Sequence, residues 1–193
     1  MQSIEFNLQY LENALDELQT YLLQPELFWP LSSSAGVRQE FPRLTIANVL
    51  LTLNELEAQE NDMAPEQYGD ASSLQTRWEA LHTKWRSAVE MKSIEEMGAR
   101  LNLWKAYIAD LEENKGRQSN HDQEVTQRVR FGLLRERIGD AAIPDELVEL
   151  MQAVDSRALA LTIPADFVWD ERLQSIYPQE VYLFLYREPK PDN

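Results

Sequence analysis

The chain has 193 residues, no cysteine and a formal net charge of −15. That length suits a domain able to bury its own core, and without cysteine it excludes disulfide frameworks, thiolate nucleophiles and cysteine-ligated zinc or iron–sulfur sites. The charge repels phosphate backbones and anionic membranes, and the six glycines leave few of the tight turns that a sandwich or barrel needs.

The opening MQSIEFNLQY lacks the basic and apolar regions of a signal peptide, and no apolar run approaches the roughly 18 residues of a membrane span. A cytoplasmic protein is expected. Ile4, Leu8, Leu11, Leu15, Leu18 and Leu22 alternate spacings of four and three, the seam of helices packing nearly parallel. This predicts a helix from Ser3 to Leu23, ended by Gln24-Pro25, because the residue before proline disfavours helical dihedrals. Phe6, Tyr10 and Tyr21 fall on the face away from that seam. They are candidate interface aromatics, expected to be covered by the segment Val181 to Tyr186 or by a second copy of the chain.

Residues 24–43 form a connection with three prolines, the run Ser32-Ser33-Ser34 and Gly36, whose Phe28 and Trp29 are expected to plug the end of a bundle. A second helix is predicted over Leu44 to Gln59, burying Ile46, Val49, Leu50, Leu53 and Leu56. Six carboxylates at 55, 57, 60, 62, 66 and 70, with no Lys or Arg among them, mark an acidic loop. Pro65 and Gly69 are expected to break any helix there. The spacing lacks the grammar of a calcium loop.

From Ser72 to Asn114 the pattern is helical, but its apolar stripe changes face. Leu74, Trp78, Leu81, Trp85 and Ala88 share one line, while Met97, Leu101, Trp104, Ile108 and Leu111 share another, displaced by roughly 140°. Ser93 followed by Glu96 has the form of a capping box, which predicts a break near Lys92. After a polar turn at Gly116 to Asn120, a helix is predicted over His121 to Ile138. Pro144-Asp145-Glu146 starts another that stops before Pro164. Residues 165–193 are aromatic-rich. Asp170 to Gln174 reads as a helical turn, and Val181 to Tyr186 as helix or extended packing rather than part of a sheet, for want of a second strand.

Searching for chemistry yields little. Glu79 and His82 have the spacing of half a di-iron carboxylate site, but the other histidine, His121, stands apart with Glu124 and no second such pair exists, so no metal is expected. No nucleophile elbow, phosphate loop or dinucleotide fingerprint occurs, so no catalytic residue and no cofactor is assigned. Trp78, Trp85 and Trp104 lie on apolar stripes and read as core. Arg128, Arg130, Arg135 and Arg137, with Lys115 and Arg117 upstream, are the one concentration of positive charge. They are candidate contacts to an anion or an acidic partner, set against the simpler reading that they pair carboxylates of neighbouring helices.

The expected fold is an all-α helical bundle of five or six main helices with an irregular aromatic-rich C-terminal segment. It reads as a single helical domain over 1–193, with connecting loops at 24–43 and 59–71 and residues 165–193 packed on the bundle as an appendage. The expected function is a non-catalytic binding or interaction protein, with a protein partner or a second copy of itself and with neither nucleic acid nor membrane. The alternative is an enzyme or small-molecule binder with an inter-helical pocket and an arginine, Arg128 or Arg135, as anion anchor. A pocket with convergent polar groups would favour the second, an exposed aromatic patch the first.

Overall fold

In the computed structural model, residues 1–31, 40–114 and 120–191 are described. Ser32-Ser33-Ser34, Gly36, Lys115, Gly116 and Arg117 lie outside them. Six α-helices, α1 (Ile4–Leu23), α2 (Ile46–Ala58), α3 (Pro65–Lys84), α4 (Arg86–Asn114), α5 (His121–Ile138) and α6 (Asp145–Leu161), accompany two short strands, β1 (Thr162–Pro164) and β2 (Arg187–Pro189). With 73% of the structure helical, the fold is all-α and of bundle type. Its contacts group into two compact units, Met1–Glu96 and Met97–Asn193.

In the first unit, Ser3 starts α1 by accepting a hydrogen bond from the Phe6 N–H at 3.3 Å, and Thr45 does the same for α2 through Asn48 at 3.2 Å. Side-chain oxygens at these positions satisfy amides that the helix itself leaves free. Of the seam, Leu11, Leu15, Leu18 and Leu22 are buried as predicted, while Ile4 and Leu8 are half-buried. The opposite face of α1 is also covered, by the connection that follows it. Tyr10 and Tyr21 are fully buried, with Phe41 at 5.4 Å from Phe6 and 6.0 Å from Tyr10, ring centre to ring centre. The Tyr21 hydroxyl donates to the Leu27 carbonyl at 3.2 Å. Of the expected strip of outer aromatics, Tyr10 and Tyr21 are therefore covered by this chain's own connection, while Phe6 is half-buried. Trp29 bridges to Leu44 through the backbone and donates its indole N–H to Glu17 at 2.6 Å. Phe28 stays exposed and does not plug the bundle.

Two helix boundaries differ from expectation. The acidic loop is shorter than 59–71, because α3 begins at Pro65. Proline suits the first helical position, where no amide donor is required, and the Gln67 side chain accepts the preceding Ala64 N–H at 2.9 Å. The break expected near Lys92 falls instead at Trp85, and α4 runs unbroken through Ser93. Its buried line includes Val89, Lys92, Ser93, Glu96, Met97, Arg100, Leu101 and Trp104. The stripe only seemed to jump because four polar residues occupy that line. Three of them have polar partners. Lys92 donates to the Glu26 carbonyl at 2.9 Å and lies 5.0 Å from the Tyr21 ring centre. Glu96 accepts the Ala47 N–H at the start of α2 at 3.1 Å, and Arg100 reaches Gln127 at 3.2 Å.

In the second unit, β1 and β2 pair antiparallel, with Thr162, Ile163 and Pro164 opposite Pro189, Glu188 and Arg187. A sheet was not expected. It is three residues long and lies just past the segment 181–186, which itself forms a turn and a 3-10 helix over Leu183–Tyr186. Arg187 and Lys190 hold the strands against the end of α6. Arg187 donates to the Leu159 and Thr162 carbonyls at 3.3 and 2.7 Å, and Lys190 to Ala160 at 2.6 Å. Cations there satisfy terminal carbonyls and complement the negative end of the helix dipole. The aromatic segment folds inward, with Phe184 at 5.3 Å from Trp104 and Tyr182 at 4.8 Å from Tyr177.

Candidate functional site

The arginine helix α5 carries the candidate site residues, and the structure separates them. Arg128 grips Asp155 of α6 as a fork, with Nε 3.0 Å from both carboxylate oxygens and Nη2 2.8 Å from Oδ2. Trp104 adds its indole N–H to the same carboxylate at 3.2 Å. Both side chains of the pair are little exposed, 15% and 17%. Arg135 makes a similar fork on Asp140, at 2.7 and 3.0 Å, but in the open, at 38% and 71% exposure. Gly139 makes this second pair possible: it ends α5 with φ at +79°, a left-handed conformation that glycine adopts without a Cβ penalty. The hydrogen bond from Arg135 holds the Asp140 carboxyl below the usual carboxylate range. Arg128 and Arg135 thus each pair with a carboxylate.

Arg128 and Arg135 also line a cavity of about 390 Å³ within the second unit. Val129 of α5, Met151, Gln152, Asp155 and Leu159 of α6, and residues 180–185 complete its wall. Arg130 and Arg137 are half-buried and do not line it. The wall formed by 180–185 is fixed at Tyr182. Its hydroxyl donates to Glu136 at 2.8 Å, and burial, aided by that carboxylate, pushes the phenol well above its ordinary pKa. Gly132 lets the ring approach α5 closely: a Cβ there would stand 3.1 Å from Tyr182 Cε1. At the mouth, Leu159 and Val181 are 39% and 51% exposed. The sequence reading named the two arginines but missed Asp155, Glu180, Val181 and Tyr182. Asp155 was findable in principle, as a carboxylate beside the apolar line of Met151, Val154 and Ala158.

A second hollow of about 590 Å³ lies in the first unit between α1 and α3, lined among others by Glu5, Glu12, Glu66, Asp70, Leu8 and Leu74. Its arginine, Arg77, pairs with Asp16 at 2.6 Å. Among the described residues no group of three or more His, Cys, Asp or Glu side chains gathers as metal ligands. His82 packs its ring 5.9 Å from that of Trp78. No described helix is long and apolar enough to cross a membrane.

Fold and cavities define an all-α chain with a small amphipathic pocket in one unit and an acidic groove in the other. Comparison with protein families, curated proteins and solved structures finds no match to this chain.

Proposed function

We propose that this chain is a non-catalytic cytoplasmic binding protein whose ligand is a small amphipathic molecule received by the pocket between α5, α6 and residues 180–185. The observation that carries this reading is the pocket's mouth, where Leu159 and Val181 leave apolar surface in water beside charged groups. Small-molecule sites combine apolar walls with a few placed polar groups, and about 390 Å³ lies at the small end of their range. The expectation of self-association drew on Phe6, Tyr10 and Tyr21, and with both tyrosines buried only the half-buried Phe6 still speaks for it. Absence of cysteine is compatible with the cytoplasmic assignment. The test is an NMR titration with short-chain alkyl amphiphiles. Amide shifts should centre on Leu159 and Val181, and Val181→Trp, which fills the mouth from an exposed position, should abolish them while leaving the melting temperature unchanged. Shifts scattered over both units, or indifferent to Val181→Trp, would refute the pocket.

The groove between α1 and α3 favours a second reading, in which a Lys- or Arg-rich segment of a protein partner docks against its four carboxylates. Complementary charge speeds and orients such encounters. The double charge reversal Glu66→Lys with Asp70→Lys should weaken capture of a basic peptide, and equal capture by the parent and the variant would dismiss the groove.

A further inference from the structure

The charges of the pocket specify the sign of its ligand, and that sign is opposite to the one the arginines suggest. Four charged side chains line the cavity: Arg128, Arg135, Asp155 and Glu180. Arg128 and Asp155 are spent on each other, and Arg135 is spent on Asp140 just outside. An anion entering here meets guanidiniums whose charge and Nε–Nη2 edge a carboxylate already takes up. Glu180, exposed at the rim beside Val181, makes no hydrogen bond or ion pair with any described residue. Its charge is the one the pocket leaves uncompensated.

Resting on the pocket reading above, we propose that the ligand is an amphipathic cation, an ammonium or guanidinium group carrying a short apolar tail. The tail lies against Leu159, Val181 and Phe184, and the cationic head meets Glu180 at the rim. The overall charge of −15 acts in the same direction, since it concentrates cations near the surface and depletes anions. The ion pair forms in high dielectric, so it contributes discrimination rather than most of the affinity, which comes from the buried tail.

The experiment compares octylammonium, octanol and octanoate by NMR titration of the whole chain, followed at the Leu159 and Val181 amides. Octylammonium should bind most tightly and octanoate least, and 0.5 M NaCl should narrow the gap, because exposed charges are screened within a few ångströms. Glu180→Gln should weaken octylammonium about two- to fivefold, the range of an exposed ion pair, and leave octanol unchanged. Val181→Trp should remove all three. If octanoate binds as tightly as octylammonium, or Glu180→Gln changes nothing while Val181→Trp still abolishes binding, the cation assignment is wrong and the pocket stands. If none of the three binds there, or Val181→Trp has no effect, the pocket itself is wrong and the cation assignment falls with it.

Discussion

Arg128 and Arg135 sit seven residues apart on one helix and make the same fork, yet water separates their energetic roles. Around Arg128 the pair is largely dry, and its aliphatic stem carries a guanidinium whose carbon lies 5.4 and 5.8 Å from the Phe131 and Phe184 ring centres. Arg128→Met keeps that stem and removes the charge, leaving Asp155 with the Trp104 indole as its donor. The expected cost is about 3 kcal/mol, and the double change Arg128→Met with Asp155→Leu should recover most of it, because unpairing a buried ion costs more than removing the pair. Equal melting of parent and single variant in urea would contradict this. Ser93 presents the reverse case, a buried hydroxyl with no hydrogen-bond partner among the described residues. Ser93→Ala should therefore leave stability unchanged or raise it by up to about 1 kcal/mol, since it removes an unsatisfied group; a loss of that size would restore the capping role the sequence suggested. His121 links α5 to β2 as a neutral ring. Its Nε2 donates to the Arg187 carbonyl at 2.9 Å, which leaves Nδ1 to accept the Tyr107 hydroxyl at 2.7 Å. Burial lowers its pKa, against the opposing pull of the Arg187 and Phe184 carbonyls, Asp122 and Glu188. The unfolded chain then takes up a proton near the ordinary imidazole value of about 6.5 that the folded chain refuses. The stability present above that pH is lost as pH falls from it through the lower folded value. Subtracting the urea-stability profile of His121→Phe from that of the parent should isolate this slope, and parallel profiles would exclude it.

Helical glycines separate local propensity from packing. Gly98 in α4 has nothing within 4 Å of where a Cβ would stand, whereas Gly132 in α5 would place one at 3.1 Å from Tyr182. Gly98→Ala should stabilise by about 0.5–1 kcal/mol through backbone entropy alone. Gly132→Ala gains the same propensity but must push a ring held at its far end by Glu136 and on its face by Tyr177, so it should destabilise and shift the amides of 180–185. A stabilised Gly132→Ala would show that the wall of the pocket yields. The same contrast explains how much of the architecture the sequence carried. The α1 seam and the bounds of α5 were legible because apolar residues there mark burial and a glycine marks the end. The register of α4 was not, because Lys92, Ser93, Glu96 and Arg100 occupy buried positions by virtue of partners distant in sequence, which periodicity does not contain. The start of α3 was missed by treating Pro65 as a breaker when it stood at the position that suits proline. The pocket was half legible: its arginines stand out by composition, while the carboxylates that neutralise two of them come from Asp155, on another helix, and Asp140, beyond a left-handed glycine.

Over the whole chain, the pairing of the arginine helix decides what the charge of −15 can meet. Binding to duplex DNA without base contacts draws its affinity from phosphates neutralised by free cations, each releasing counterions. Arg128 and Arg135 are expected to bring little such capacity, because Asp155 and Asp140 already match their charge, and a phosphate would compete with both carboxylates against the repulsion of the remaining surface. At physiological salt that repulsion reaches only about 8 Å, so it slows approach without forbidding contact; the missing ingredient is local and cationic. Fluorescence anisotropy with a labelled duplex should therefore show no saturable binding at 0.15 M salt, and lowering the salt should not reveal it. The double change Asp140→Asn with Asp155→Asn tests the cause, since it frees both guanidiniums while altering the net charge by only two. If pairing is what silences the helix, this variant should gain weak, salt-sensitive binding while the parent has none; submicromolar binding by the parent would show that the arginines act as a surface despite their partners.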